Sequence, residues 1–225
     1  MLEKKISMPF TLLALAFCIC FVVDSFLELK VISICGLPVT AGLLLITISY
    51  IVSDCIVEVY GYSKARQVMW MTFAVHLFVV FILQLACWIP SADFWEGEVH
   101  FQYIFNLTPR ITIVSMFAFI IGSSTNAYVM SKMKVLQKGK GFKLRAFVST
   151  VAGEYVDAIS FFPLAFYGLM PMDEIMTMVL VQANVKIVYE LLVLPITSMV
   201  VKCVKKYDGI DTYDNEISYN IFSLA

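Results

Sequence analysis

The amino-acid sequence predicts an all-α, polytopic membrane protein with six transmembrane helices, and three observations carry that prediction. Hydrophobic residues fill 60% of the 225 positions and charged residues only 15%, against roughly half and about a quarter in soluble chains. Mean hydropathy is +0.86. The ionisable residues fall largely between six apolar stretches, each at or above the ~20 residues that cross ~30 Å of hydrocarbon. Basic residues gather in alternate loops, as they do in multi-pass chains.

The first stretch, 8–27, follows Lys4 and Lys5. It is read as a retained helix, because no small-x-small cleavage site follows and Phe17 is too large beside Cys18 for a lipoprotein site. The second, 37–59, ends in a polar run from Ser53 to Arg66. The third covers 68–90, and the fourth, 110–131, opens on Pro109-Arg110 with proline where a helix start favours it. The fifth and sixth cover 146–169 and 175–201, the last with Pro195 inside it. Residues 1–206 are thus read as one transmembrane domain and the polar 207–225 as a loosely held cytoplasmic tail.

Orientation follows from the basic residues. Thirteen of the 16 lie at one side: Lys4, Lys5, Lys64, Arg66, Lys132, Lys134, Lys138, Lys140, Lys143, Arg145, Lys202, Lys205 and Lys206. The opposite loops hold Lys30 and Arg110 with Asp93, Glu96, Glu98, Asp173 and Glu174. An even number of crossings, with both termini in the cytoplasm, satisfies every loop.

The six cysteines have no C-x-x-C spacing and read as packing residues. Two histidines are too few for a histidine-based metal site. No cofactor and no metal are expected, and no G-x-x-x-x-G-K-[ST] loop binds a nucleotide phosphate. Nothing in the composition points to nucleic acid; the partners expected are the lipid bilayer, a small polar solute and, at most, further copies of the chain.

Ionisable residues inside the apolar stretches carry the functional reading, because charge at membrane depth is costly. Asp54 and Glu58 are four residues apart on one helical face. Glu58 also has an interfacial reading, pairing with Lys64 or Arg66 while Gly61 ends the helix. Arg110 either snorkels to the outer headgroups or turns its donors toward a solute or a carboxylate. The same stretch continues through Ser115 to Asn126, whose amide is a candidate contact.

Asp157 lies twelve residues beyond Arg145, about 18 Å along a helix and close to mid-bilayer. Ser149, Gly153, Asp157 and Ser160 form a small and polar stripe, with Glu154 nearby. Tyr155 and Phe161 offer a stacking surface or interhelical packing. Gln182, Asn184, Lys186 and Glu190 give the last helix its polar residues. Lys186 sits at a depth that lets it meet Asp157 as a buried pair. Asp54, Arg110, Glu154, Asp157 and Lys186 are the predicted solute contacts, with Glu58, Asn126, Tyr155, Phe161, Asn184 and Glu190 as secondary candidates.

At these motifs the chain resembles the queuosine-precursor transporter family, also described as vitamin-uptake-like transporters. The resemblance runs through Asp54, Glu58, Tyr60-Gly61 and Ala65-Arg66, then Arg110, Ser115, Ala118 and Asn126. It continues through Ser149-Thr150, Asp157, Phe161-Phe162 and Ala165-Phe166 to Lys186 and Pro195. It implies a six-helix importer of 7-deazaguanine bases, purine-like precursors salvaged for tRNA queuosine. It also implies a fold like the substrate-binding subunits of energy-coupling-factor transporters. Where the family commonly has an amide, this chain has Glu154, and where it has Asn near the end of the first helix, this chain has Asp24-Ser25. Both changes add negative charge and favour a cationic amine as solute.

Two rivals remain at this level. One is a vitamin-binding subunit that needs an ATPase partner. The other, an intramembrane aspartyl enzyme using Asp54 and Asp157, is disfavoured because Gly153-Glu154-Tyr155-Val156-Asp157 lacks the Gly-x-Gly-Asp arrangement.

Overall fold

The computed structural model describes residues 7–34, 37–106, 108–168, 171–214 and 219–220. Helix α1, Met8–Leu27, starts where the Ser7 side chain accepts a hydrogen bond from the Phe10 N–H at 3.1 Å, a cap that satisfies one orphan donor. Two short strands follow, β1 Val31–Ile34 and β2 Leu37–Thr40. They pair antiparallel with Val31 opposite Thr40 and Ile34 opposite Leu37.

Helix α2, Leu43–Tyr60, therefore begins six residues later than the apolar run that opens at 37. Residues 37–40 belong to a ribbon: Pro38 has no N–H to give a helix, and the paired strands satisfy the backbone locally. Gly61, at φ +86°, breaks α2 from α3, Tyr62–Trp88, which starts before the predicted 68. A Cβ there would come within 2.8 Å of Asp214 Oδ1, so the position requires glycine twice over. A short helix that the hydropathy did not show, α4 Glu98–Asn106, lies in the connection to α5, Thr108–Leu136. Helix α6, Phe142–Phe166, and α7, Met172–Asp208, complete the chain. Helix α7 is 37 residues long and passes through Pro195.

The architecture is all-α and polytopic. Four of the described helices, Met8–Leu27, Tyr62–Trp88, Thr112–Leu136 and Met172–Asp208, are long and apolar enough to cross a membrane. They expose large apolar side chains such as Leu12, Leu15, Phe78, Phe81, Leu192 and Met199, the surface that hydrocarbon covers. Helix α2 carries the buried carboxylates Asp54 and Glu58 and packs on α1, α5 and α7; α6 carries Glu154 and lies against α5 and α7.

The seam between α5 and α6 is closely packed. A Cβ on Gly122 would meet Gly153 O at 3.1 Å and Asp157 Cβ at 2.8 Å, and one on Gly153 would meet Asn126 Cβ at 2.9 Å. Small residues here let two backbones approach closely enough to bring their polar neighbours together.

The end of the molecule opposite the hairpin is tied by charge. Arg145 donates to both oxygens of Glu58, at 2.9 and 2.6 Å, and Lys205 Nζ reaches Glu58 Oε1 at 2.5 Å. Lys134 Nζ donates to the carbonyls of Glu58 and Thr212 and to Asp211 Oδ1 at 2.6 Å. Of the segment after α7, expected as a loose tail, the described residues 209–214 and 219–220 make contacts here. Asp214 accepts from the Tyr62 N–H at 2.8 Å and from Ser131 Oγ at 2.6 Å, and Tyr219 packs against Tyr62 and Tyr128 with Lys132 Nζ 4.2 Å from its ring centre. Asp214 thus takes up a donor that the start of α3 leaves without an intrahelical partner.

Candidate functional site

Helical periodicity aims the polar residues at one another. Tyr50, Asp54 and Glu58 repeat every four residues on α2, and Gln182, Lys186 and Glu190 do so on α7, so each set forms one face. All six are buried. Ser115, Gly122 and Asn126 share a face of α5, and Thr150, Gly153, Glu154 and Asp157 a face of α6. At the end of α1, Asp24 and the capping residue Glu28 are one turn apart.

Nearer the hairpin, Lys186 Nζ lies 3.1 Å from Glu154 Oε2 and 3.3 Å from Asp157 Oδ2. Glu28 and Asp24 also fall within its electrostatic reach, giving four acids to one ammonium group. Ser115 Oγ donates to Glu28 Oε2 at 2.9 Å. Asp24 is 2% exposed, and its Oδ1 has no hydrogen-bond partner among the described residues. The hairpin covers this cluster. Gln182 accepts from the Thr40 N–H at 3.1 Å and donates to Thr40 Oγ1 at 2.7 Å, and a Cβ on Gly42 would sit 2.7 Å from Asp24 Oδ1.

A second cluster lies toward the charged end. Asn126 Nδ2 donates to Asp54 Oδ1 at 3.0 Å, and Thr150 Oγ1 donates to Glu190 Oε1. The Tyr50 hydroxyl lies within electrostatic reach of Glu154 and Asp157 and also of Asp54 and Glu190, and has no partner among the described residues. Tyr50 therefore joins the two clusters. Among the described residues, no group of three or more His, Cys, Asp or Glu side chains is arranged to hold a metal ion.

Of the sequence-predicted contacts, the structure gathers Asp54, Glu154, Asp157 and Lys186, with Asn126 and Glu190. It places the others elsewhere. Arg110 is exposed and donates to the carbonyls of Leu164, at 3.2 and 2.9 Å, and of Tyr167, at 3.0 Å. It caps the end of α6, where carbonyls lack intrahelical partners. Glu58 belongs to the charged clasp, its partners being Arg145 and Lys205 rather than Lys64 or Arg66. Asn184 is exposed and bonds back to Leu180 O at 2.8 Å. Phe161 packs edge-on to Phe162 and Phe166 within an apolar cluster that Tyr155 flanks. Glu28, Tyr50 and Thr150 are the members of the core that charge placement alone did not select. The four-residue spacings from Asp24 to Glu28 and from Tyr50 to Asp54 were the available signal.

The core is rich in acceptors and poor in donors. Ionised carboxylates accept only, and among the described residues Lys186 is the one cation around Glu154 and Asp157. Such a site complements a solute that brings N–H groups or positive charge.

The family described as "putative vitamin uptake transporter" matches residues 40–200. The chain belongs to that family. The match takes in Asp54, Asn126, Glu154, Asp157, Lys186 and Glu190 together. A relative from Bacillus subtilis (strain 168), named "Probable queuosine precursor transporter", is 27% identical over 145 residues, covering 64% of this chain and 63% of that relative. This member of the vitamin-uptake family thus aligns with just under two thirds of the relative's length. No solved structure matches the chain.

Proposed function

We propose that the protein imports a 7-deazaguanine base, a queuosine precursor, across the bacterial inner membrane, with Glu154, Asp157 and Lys186 as the central solute contacts and Asp24, Glu28 and Tyr50 beside them. The observation that carries this reading is the ratio of four acids to one cation around Lys186, with an orphaned acceptor at Asp24 Oδ1. A guanine-like edge presents a ring N–H and an exocyclic amine side by side, and one carboxylate accepts both in parallel. The name of the Bacillus relative supports the solute class. The surplus acid favours a base with a protonated amine, as in the aminomethyl precursor or queuine, over the neutral nitrile. In this reading α1, α2, α3, α5, α6 and α7 all cross the bilayer, the clasped end with both termini faces the cytoplasm, and the chain is a carrier rather than an enzyme.

The test is uptake of the three radiolabelled bases by cells that cannot make queuosine. The parent chain should restore uptake, Asp157→Asn should lose it at equal membrane abundance, and the aminomethyl base should out-compete the nitrile. No uptake of any base by a well-expressed chain overturns the solute assignment; equal competition by the nitrile overturns the charge preference. The family's description as a vitamin transporter favours one second reading, a binding subunit that depends on an ATPase partner. Uptake by the purified chain alone in liposomes separates the two.

A further inference from the structure

Asp54 and Glu190 meet across the interface of α2 and α7, close enough for a side-chain hydrogen bond between their carboxyl groups. One oxygen of each is held by a donor, Asn126 for Asp54 and Thr150 for Glu190. The remaining oxygens, Asp54 Oδ2 and Glu190 Oε2, have no donor among the described residues, and neither has Asn126 Oδ1. All three side chains are at most 4% exposed.

The groups facing the pair are Tyr50 and Glu58 along α2, Asn126 from α5, Arg145, Thr150 and Glu154 from α6, and Lys186 one turn away on α7. The two cations among them are engaged elsewhere: Arg145 grips both oxygens of Glu58, and Lys186 pairs with Glu154 and Asp157. Two carboxyl groups in contact with no cation of their own do not both ionise; a single proton between them converts repulsion into a hydrogen bond.

We propose that Asp54 and Glu190 form a proton-binding site, separate from the solute-facing acids around Lys186, and that its proton is exchanged in each transport cycle. One proton enters from the outer side with the solute and leaves toward the cytoplasm, so only O–H bonds form and break and no other co-reactant is needed. Tyr50 provides the link, since its unpartnered hydroxyl faces acids of both clusters. The exchange step rests on the transport reading above; the site itself does not.

Two measurements decide it. Infrared spectra of the purified chain at neutral pH should contain a carboxylic-acid C=O component that shifts in deuterium oxide, disappears in Glu190→Gln and disappears or moves in Asp54→Asn. Both variants keep side-chain shape, and a monodisperse elution profile establishes that they fold. Absence of any component assignable to these two residues overturns the site. In liposomes, uptake of the radiolabelled aminomethyl base by the parent chain should rise severalfold under an inside-alkaline gradient and fall when a protonophore is added. Uptake indifferent to that gradient, or driven by sodium instead, overturns the exchange. If no base is taken up while the infrared component is present, the solute assignment fails and the proton site stands.

Discussion

Replacing Lys186 with methionine removes the ammonium group from a buried set of acids while keeping most of the side-chain volume. Lys186 is 3% exposed and lies 3.1 Å from Glu154 and 3.3 Å from Asp157. Deleting one member of a buried ion pair costs about 3–5 kcal/mol, because the charge left behind has no compensation. The Asp157 side chain retains 14% exposure, which relieves part of that cost and places the expectation at the lower end, about 3 kcal/mol. At 1.4 kcal/mol per decade this is about a hundredfold in the folded-to-unfolded ratio. Reversible unfolding in mixed detergent micelles, followed by circular dichroism, measures it. The triple variant Lys186→Met, Glu154→Gln, Asp157→Asn should recover most of the loss, since it leaves neither of the two carboxylates that touch Lys186 as an unpaired charge. If Lys186→Met is as stable as the parent, or the triple variant no better than the single one, the buried pairing is not what holds α6 and α7 at this level.

Gly122→Val places a side chain 2.8 Å from Asp157 Cβ and 3.1 Å from Gly153 O, so it should cost about 1–3 kcal/mol by overpacking and abolish uptake in the cell assay. Arg110→Ala removes an exposed cap on α6; the cost should be about 1 kcal/mol or less, with uptake retained, and loss of uptake would return Arg110 to the solute path. Burial works against ionisation of Asp211, but hydrogen bonds from Lys134 and Lys205 outweigh it and hold the carboxyl below the ordinary aspartate range. A depressed folded value means that the docking energy is fully present above the unfolded value of about pH 4 and is lost as pH falls through the folded one. Limited proteolysis should therefore spare the C-terminal segment at neutral pH and cut it in Asp211→Asn.

What the sequence discloses well is depth. Counting residues at a fixed rise places Asp157 and Lys186 at one level, and the structure sets them 3.3 Å apart. What it discloses poorly is azimuth and partner. Arg110 and Asp54 both lie in apolar stretches, yet one faces outward to a helix end and the other inward to Asn126. Glu58 looked like an extension of the Asp54 face, and it is; but one turn further along that face the partners change from the Asn126 amide to Arg145 and Lys205. The hairpin escaped notice because its second strand, Leu37 to Thr40, is as apolar as the helix that follows. Hydropathy at that scale does not separate a strand from a helical turn. Docking of Asp211 and Asp214 depends on Lys134, Ser131 and the Tyr62 N–H, all distant in sequence.

Gln182 and Lys186 stand one turn apart on the same face of α7, the first holding Thr40 and the second the acids beneath it. A single-residue deletion between them would rotate one by about 100° relative to the other, so the spacing is a ruler that mutation can reset only by losing either the cover or the counter-ion. In evolutionary terms, substitutions leave this interval intact. Insertions and deletions belong in the loops, and the four-residue interval from 182 to 186 should persist across descendants that keep the hairpin.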